Sequence, residues 1–141
     1  MIVYQLELKL IYNHSMKKLL LLLFSLLLSF NSYGEWVNLG ESDTGTTLYV
    51  DIDSIKKHNG YIYYWGLRDL LKPDKWGDMS LKLYFQGDCG VIRMKYLSYN
   101  YYKKPMGRGE SEVDNTESEW KYPPPDTVDG KVLDYVCDYV D

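Results

Sequence analysis

Cys89 and Cys137 are the residues whose chemistry is most sharply defined by their type, because two thiols oxidise to one disulfide wherever the surroundings permit. A bond between them would close a loop of about 48 residues and contribute roughly 4 kcal/mol on the chain-entropy model. Two unpaired buried thiols are the alternative. Other candidates for chemistry are few. His58 is the only histidine after residue 34 and stands in a polar turn between Lys57 and Asn59, so a transition metal lacks ligands. Asp51 and Asp53 are close in sequence, yet no Asp-Asx-Asx-Gly loop of calcium spacing follows them. Glycoside cleavage needs two carboxyl groups about 5 to 10 Å apart across a sugar cleft, for which a small domain has little room. No Gly-x-Ser-x-Gly elbow, phosphate-cradling glycine loop or His-Glu-x-x-His is present, and Gly107-Arg108-Gly109 reads as a turn. The expectation is a protein that is not an enzyme and uses no cofactor or metal.

Whether the thiols meet an oxidising compartment is decided near the N-terminus. Lys17 and Lys18 follow Met16, and Leu19 to Phe30 form an apolar run broken only by Ser25 and Ser29. This is the pattern of a signal peptide, and the run is too short to span a bilayer, which takes about 20 residues. Ser32 and Gly34 supply the small side chains needed before a cleavage point between Gly34 and Glu35. Residues 1–15 are expected to be an upstream start-site extension, 16–34 the signal peptide and 35–141 the mature domain, with no transmembrane anchor. An uncleaved anchor is the alternative. No Cys follows the apolar run, so a lipid anchor is not expected.

The whole chain carries a formal charge of −4, and loss of Lys9, Lys17, Lys18 and Glu7 with the leader leaves about −6. Such a surface disfavours nucleic acid, whose affinity comes largely from neutralised phosphates. About 107 residues can fold alone but have little stability to spare, which makes a covalent tether useful.

The thiols must be positioned by local structure. Trp36 to Leu39 and Thr46 to Asp51 read as short strands, and Asp53 to Lys57 as a single helical turn closed by Asn59-Gly60. From Tyr61 to Leu71 the alternation groups Tyr61, Tyr63, Trp65 and Leu67 as the greasy face of a third strand. Leu81, Leu83 and Phe85 alternate with Lys82, Tyr84 and Gln86, which puts Cys89 on the apolar side. A fifth strand carries Ile92, Met94 and Tyr96, and a phase change after Leu97 predicts a bulge. Lys103 to Lys121, rich in Glu and Asp, reads as an exposed loop, and Pro123-Pro124-Pro125 forces extended chain. Asp126 or Thr127 is set to cap a last helix in which Val132, Leu133, Val136, Cys137 and Val140 share an arc. The fold class expected is α+β: a mostly antiparallel sheet of about five or six strands, with a C-terminal helix packed on one face and tied by the disulfide.

Twelve of the 15 tyrosines and all four tryptophans follow residue 34. Sheet packing accounts for most of them. Tyr101, Tyr102 and Trp120 flank the charged loop beside Lys103 and Lys104, and these five are the candidate binding surface, since Tyr and Trp dominate interaction hot spots. A small-ligand carrier using the aromatic face would instead need a pocket above about 300 Å³.

Ordered motifs along the chain resemble the surface-adhesin protein E-like family of small exported bacterial proteins. They are Leu48-Tyr49-Val50-Asp51-Ile52-Asp53-Ser54-Ile55, Leu83-Tyr84 with Asp88-Cys89-Gly90, Tyr101 with Pro105-Met106-Gly107-Arg108-Gly109, Trp120-Lys121-Tyr122-Pro123-Pro124-Pro125 and the closing Val136-Cys137. The resemblance covers nearly all of 35–141. It implies an antiparallel sheet with a helix tied by Cys89 and Cys137, attachment to host extracellular-matrix proteins, and pairing as a homodimer. The functional expectation is a non-enzymatic exported binding domain with a protein partner, periplasmic or on the outer surface. A periplasmic structural or envelope accessory with no external ligand is the alternative.

Overall fold

The computed structural model describes residues 2–27 and 34–140, in two units. In the first, helix α1 (Ile2–Leu27) runs without a break through Met16, and Ser32 of the expected cleavage motif lies outside the described residues. No helix among the described residues is long and apolar enough to cross a membrane.

The second unit is a six-stranded antiparallel meander, β1 (Trp36–Glu41), β2 (Thr47–His58), β3 (Tyr61–Asp69), β4 (Ser80–Asp88), β5 (Arg93–Lys104) and β6 (Arg108–Asp114), in that spatial order. Helix α2 (Val128–Tyr139) follows and packs on one face. β2 and β3 are joined by a two-residue turn, in which Asn59 and Gly60 both take positive φ, 50° and 80°, whose twist matches that of the flanking strands. Thr127 caps α2 by accepting a bond from Gly130 N at 3.2 Å, and Asp129 stands in the first turn, where the helix dipole favours an anion.

Residues paired directly across strands share a face. Tyr64, Phe85 and Tyr96 form one such row, and Ile62, Gly87 and Met94 the next. Leu133 and Val136 of α2 are wholly buried in this core with Val50, Leu83 and Cys137. Burial of each such side chain contributes at most about 1.5–3 kcal/mol. Gly87 lets the helix approach: a Cβ there would stand 2.9 Å from Ile62 Cγ1 and 3.0 Å from Leu133 Cδ1. The expected disulfide is present, joining Cys89, just past β4, to Cys137, the last buried residue of α2, with Cα atoms 5.8 Å apart.

Three expectations are corrected. The helix covers Ile62 and Tyr64 of β3, not the face of Tyr61, Tyr63, Trp65 and Leu67. β3 is apolar on both sides, so its own alternation does not choose; the pairing of Tyr64 with Phe85 on the unambiguous strand β4 does. Asp53 to Lys57 is not a helical turn but a bulge within β2, where pairing with β3 lapses between Asp51 and Lys56. Ser54 Oγ donates to Asp51 O at 2.6 Å and accepts from Trp65 N at 2.9 Å, so one hydroxyl replaces the missing ladder bonds. Within the expected loop, Arg108–Asp114 forms β6, a fully exposed edge strand whose polar composition hides its period. The bulge after Leu97 is observed: Tyr84 faces Ser98 and Phe85 faces Tyr96, leaving Leu97 as the extra residue.

Candidate binding surface

The helix-bearing face is closed by its own polar groups. Arg68 of β3 donates to Tyr96 Oη at 2.8 Å and to Asp129 Oδ1 at 2.7 Å, while Tyr96 Oη donates to Asp129 Oδ2 at 2.7 Å. Burial works against the Arg68 charge, but Tyr96 and Asp129 outweigh it and hold its pKa above the ordinary value. Burial pushes the Tyr96 hydroxyl up to about 12. The triad bolts the start of α2 to the sheet, and each member is occupied by the others. A cleft of about 550 Å³ beside it is lined by Ser42, Thr44, Thr46, Arg68, Asp129 and neighbours, with no aromatic residue. That placement gives no support to a carrier built on the aromatic face.

The opposite face differs in character. Trp36, Asp51, Trp65, Tyr84 and Ser98 lie in one cross-strand row, with Tyr49, Leu67, Lys82 and Asn100 in the next. Trp65 stacks on Tyr84 at 4.8 Å, and Tyr84 meets Tyr63 at 6.2 Å. Lys82 Nζ lies 5.8 Å from the Trp36 ring and 5.3 Å from that of Tyr102. At the far end Trp120 meets Tyr61 at 5.7 Å, under the Arg93 guanidinium at 4.3 Å. Partial burial raises the Asp51 carboxyl above its usual range. α2 packs on the other side, so these rings are half-buried by one another and not by a second layer. The tight turn between β5 and β6 folds over one corner, where Gly107 N donates to Ser80 Oγ at 2.8 Å and Met106 N to Asp69 Oδ1 at 2.6 Å.

The five candidate residues are not gathered at one place, although Tyr101 and Lys103 share a cleft. Tyr102 and Trp120 belong to opposite ends of the open face. Tyr101 pairs with Leu81 and lies on the helix side, beyond the helix itself. Lys103 is held there by Asp78 at 2.7 Å, and Lys104 is exposed at the β5–β6 turn. Trp36, Trp65, Tyr84 and Lys82 are not among the binding residues expected from sequence, where Trp65 is read as part of a packed face. Their signal was present in the alternation, since Tyr84 falls between Lys82 and Gln86 on the side facing away from Leu83 and Phe85. His58 is exposed, its Nε2 3.1 Å from Asn59 Nδ2, and no group of three metal-ligating side chains occurs among the described residues.

The sequence profile of surface-adhesin protein E matches residues 36–138. The fold is similar to that of Haemophilus influenzae protein E in its crystal form II, at 16% identity and a TM-score of 0.61, over 79% of this chain and 94% of that one. It is also similar to protein E from non-typeable Haemophilus influenzae, at 15% identity and a TM-score of 0.54, over 78% and 79%. No curated protein matches the chain. With most of its length in the matched segment and the expected sheet, helix and disulfide in place, the chain belongs to the surface-adhesin protein E family.

Proposed function

We propose that this chain is an exported, non-enzymatic binding domain that recognises a protein partner, in its sharpest form a host extracellular-matrix protein, through the open aromatic face of its sheet. The observation that carries the reading is the row Trp36, Trp65 and Tyr84 beside Lys82, on a face that no second layer of the unit covers. Large rings at fixed positions give contact area at low entropic cost, and the neighbouring charged groups give selectivity. The family's name and the relatives' fold support an adhesin role. Replacing both Trp65 and Tyr84 with Ala should weaken binding to immobilised matrix proteins at least about tenfold, the loss of roughly 1.4 kcal/mol or more. Unchanged binding by a variant with an unchanged melting curve rejects this face. A homodimer formed through the same rings would compete with the partner, and sedimentation of the same variant reads that out.

A second reading, a periplasmic envelope accessory, is favoured by the first cysteine being Cys89, far from the apolar run. Cell fractionation with antibody labelling of intact cells decides: protein confined inside the outer membrane removes the adhesin role. The leader is part of the same proposal. Mass spectrometry of protein from its native host should give a chain beginning at Glu35, and retention of Leu19–Phe30 would refute export by cleavage.

A further inference from the structure

The outer edge of β6 is a second unoccupied feature, distinct from the open face. After β6 the chain returns along the first half of β5, where Lys121 and Met94 exchange backbone bonds of 2.7 and 2.9 Å and Ser118 N donates to Tyr96 O. β6 therefore stays the last strand of the sheet, every residue of it exposed, and among the described residues its outward backbone groups have no partner. Glu112 faces Tyr101 and Asp114 faces Tyr99, so both carboxylates lie on one side of the strand. There a cleft of about 240 Å³ opens, lined by Trp76, Asp78, Tyr101, Lys103, Glu112 and Asp114. Trp76 is 66% exposed, yet its loop is ordered: Asp74 Oδ1 accepts from Trp76 N and Asp78 N, both at 2.9 Å. Asp78 is neutralised by Lys103, whereas neither Glu112 nor Asp114 has an ion-pair partner among the described residues.

We propose that this edge binds an extended, basic segment of another protein as a seventh strand, seating a Lys or Arg side chain between Trp76, Tyr101, Glu112 and Asp114. Free ladder groups supply affinity for any extended backbone, and the period of two brings alternate side chains of the guest over the cleft. Charge then selects the guest. A second copy of β6 would bring Glu110, Glu112 and Asp114 near the same three carboxylates, and a neutral strand would leave Glu112 and Asp114 without a counter-charge. A cation is drawn to them and to the faces of two aromatic rings. An acidic edge that serves only to prevent aggregation explains the carboxylates but not an exposed tryptophan on a hydrogen-bonded loop beside them, a ring that already draws Lys75 Nζ to 4.0 Å.

The test uses the oxidised, 15N-labelled protein and three short peptides of alternating Lys-Thr, Glu-Thr and Lys-Pro. The Lys-Thr peptide is expected to shift the β6 amides and the Trp76 indole, and to bind at least about tenfold more tightly than Glu-Thr. Lys-Pro, which keeps the charge but lacks half the backbone donors, should bind at least about tenfold more weakly than Lys-Thr, as should Lys-Thr to E112Q/D114N. Equal binding of Lys-Pro, or shifts confined to Trp65 and Tyr84, overturns the proposal. The Trp65→Ala/Tyr84→Ala variant should bind Lys-Thr as the unaltered protein does, which separates this edge from the open face.

Discussion

Replacing both Cys89 and Cys137 with Ser is expected to lower the stability of the domain by about 4 kcal/mol and its melting temperature by roughly 15 °C. The bond closes a loop of 48 residues, which includes β5, β6 and the triproline segment, so the unfolded chain gains much freedom when it is absent. In the folded state the loss falls on α2. Its N-terminal end remains bolted through Arg68 and Asp129, and Leu133 and Val136 stay in the core, but its last turn carries Asp138 where the helix dipole favours a cation. The C-terminal half of the helix should therefore open first and become the earliest site of proteolysis. Circular dichroism with and without reductant and limited proteolysis of the double variant check this. Equal melting temperatures would show that packing alone holds the helix.

That clamp was legible before any coordinates because two independent periods converge on it. A strand period of two places Cys89 with Leu83 and Phe85, and a helical period of 3.6 places Cys137 with Leu133 and Val136. Elements with one clear face were read correctly for the same reason. β3 was not, because Tyr63 and Tyr64 are equally suited to either side of a half-buried sheet, and only pairing with β4 breaks the tie. β6 carries no alternation of hydrophobicity at all, since an edge strand buried on neither face has none to show. The open face is not legible in the sequence because it is assembled across strands: Trp36 on β1, Trp65 on β3 and Tyr84 on β4 are far apart in the chain and meet only through register. Arg68 stands on the helix-bearing side of β3, where its charge requires a partner, and nothing local in the sequence identifies Asp129, 61 residues away, as that partner.

Stability should also fall steeply in alkali, beginning near pH 10, and the tyrosines beneath α2 are the cause. Tyr64 is wholly buried and its hydroxyl has no hydrogen-bond partner among the described residues, while Tyr96 bridges Arg68 and Asp129. Burial raises both above the ordinary value of 10.0, Tyr96 to about 12. For an acid whose folded pKa is raised, the unfolded chain loses its proton first. The stabilisation is thus complete below pH 10 and is lost as the pH climbs towards the folded value. The rise of the Tyr96 hydroxyl to about 12 corresponds to roughly 3 kcal/mol from that residue alone. Tyr84, Tyr99 and Tyr101, raised in the same direction by partial burial, add to the slope. Unfolding followed by circular dichroism should coincide with the appearance of tyrosinate absorbance. Tyr64→Phe separates the two contributions: removing an unpartnered buried hydroxyl should leave stability at neutral pH unchanged or raise it by about 1 kcal/mol, and should move the alkaline transition upward. Tyr96→Phe, in contrast, leaves Arg68 and Asp129 each short of a bond and should cost about 1–3 kcal/mol at neutral pH. If Tyr64→Phe instead destabilises the domain, its hydroxyl has a partner after all, and the core beneath the helix is wetter than its packing indicates.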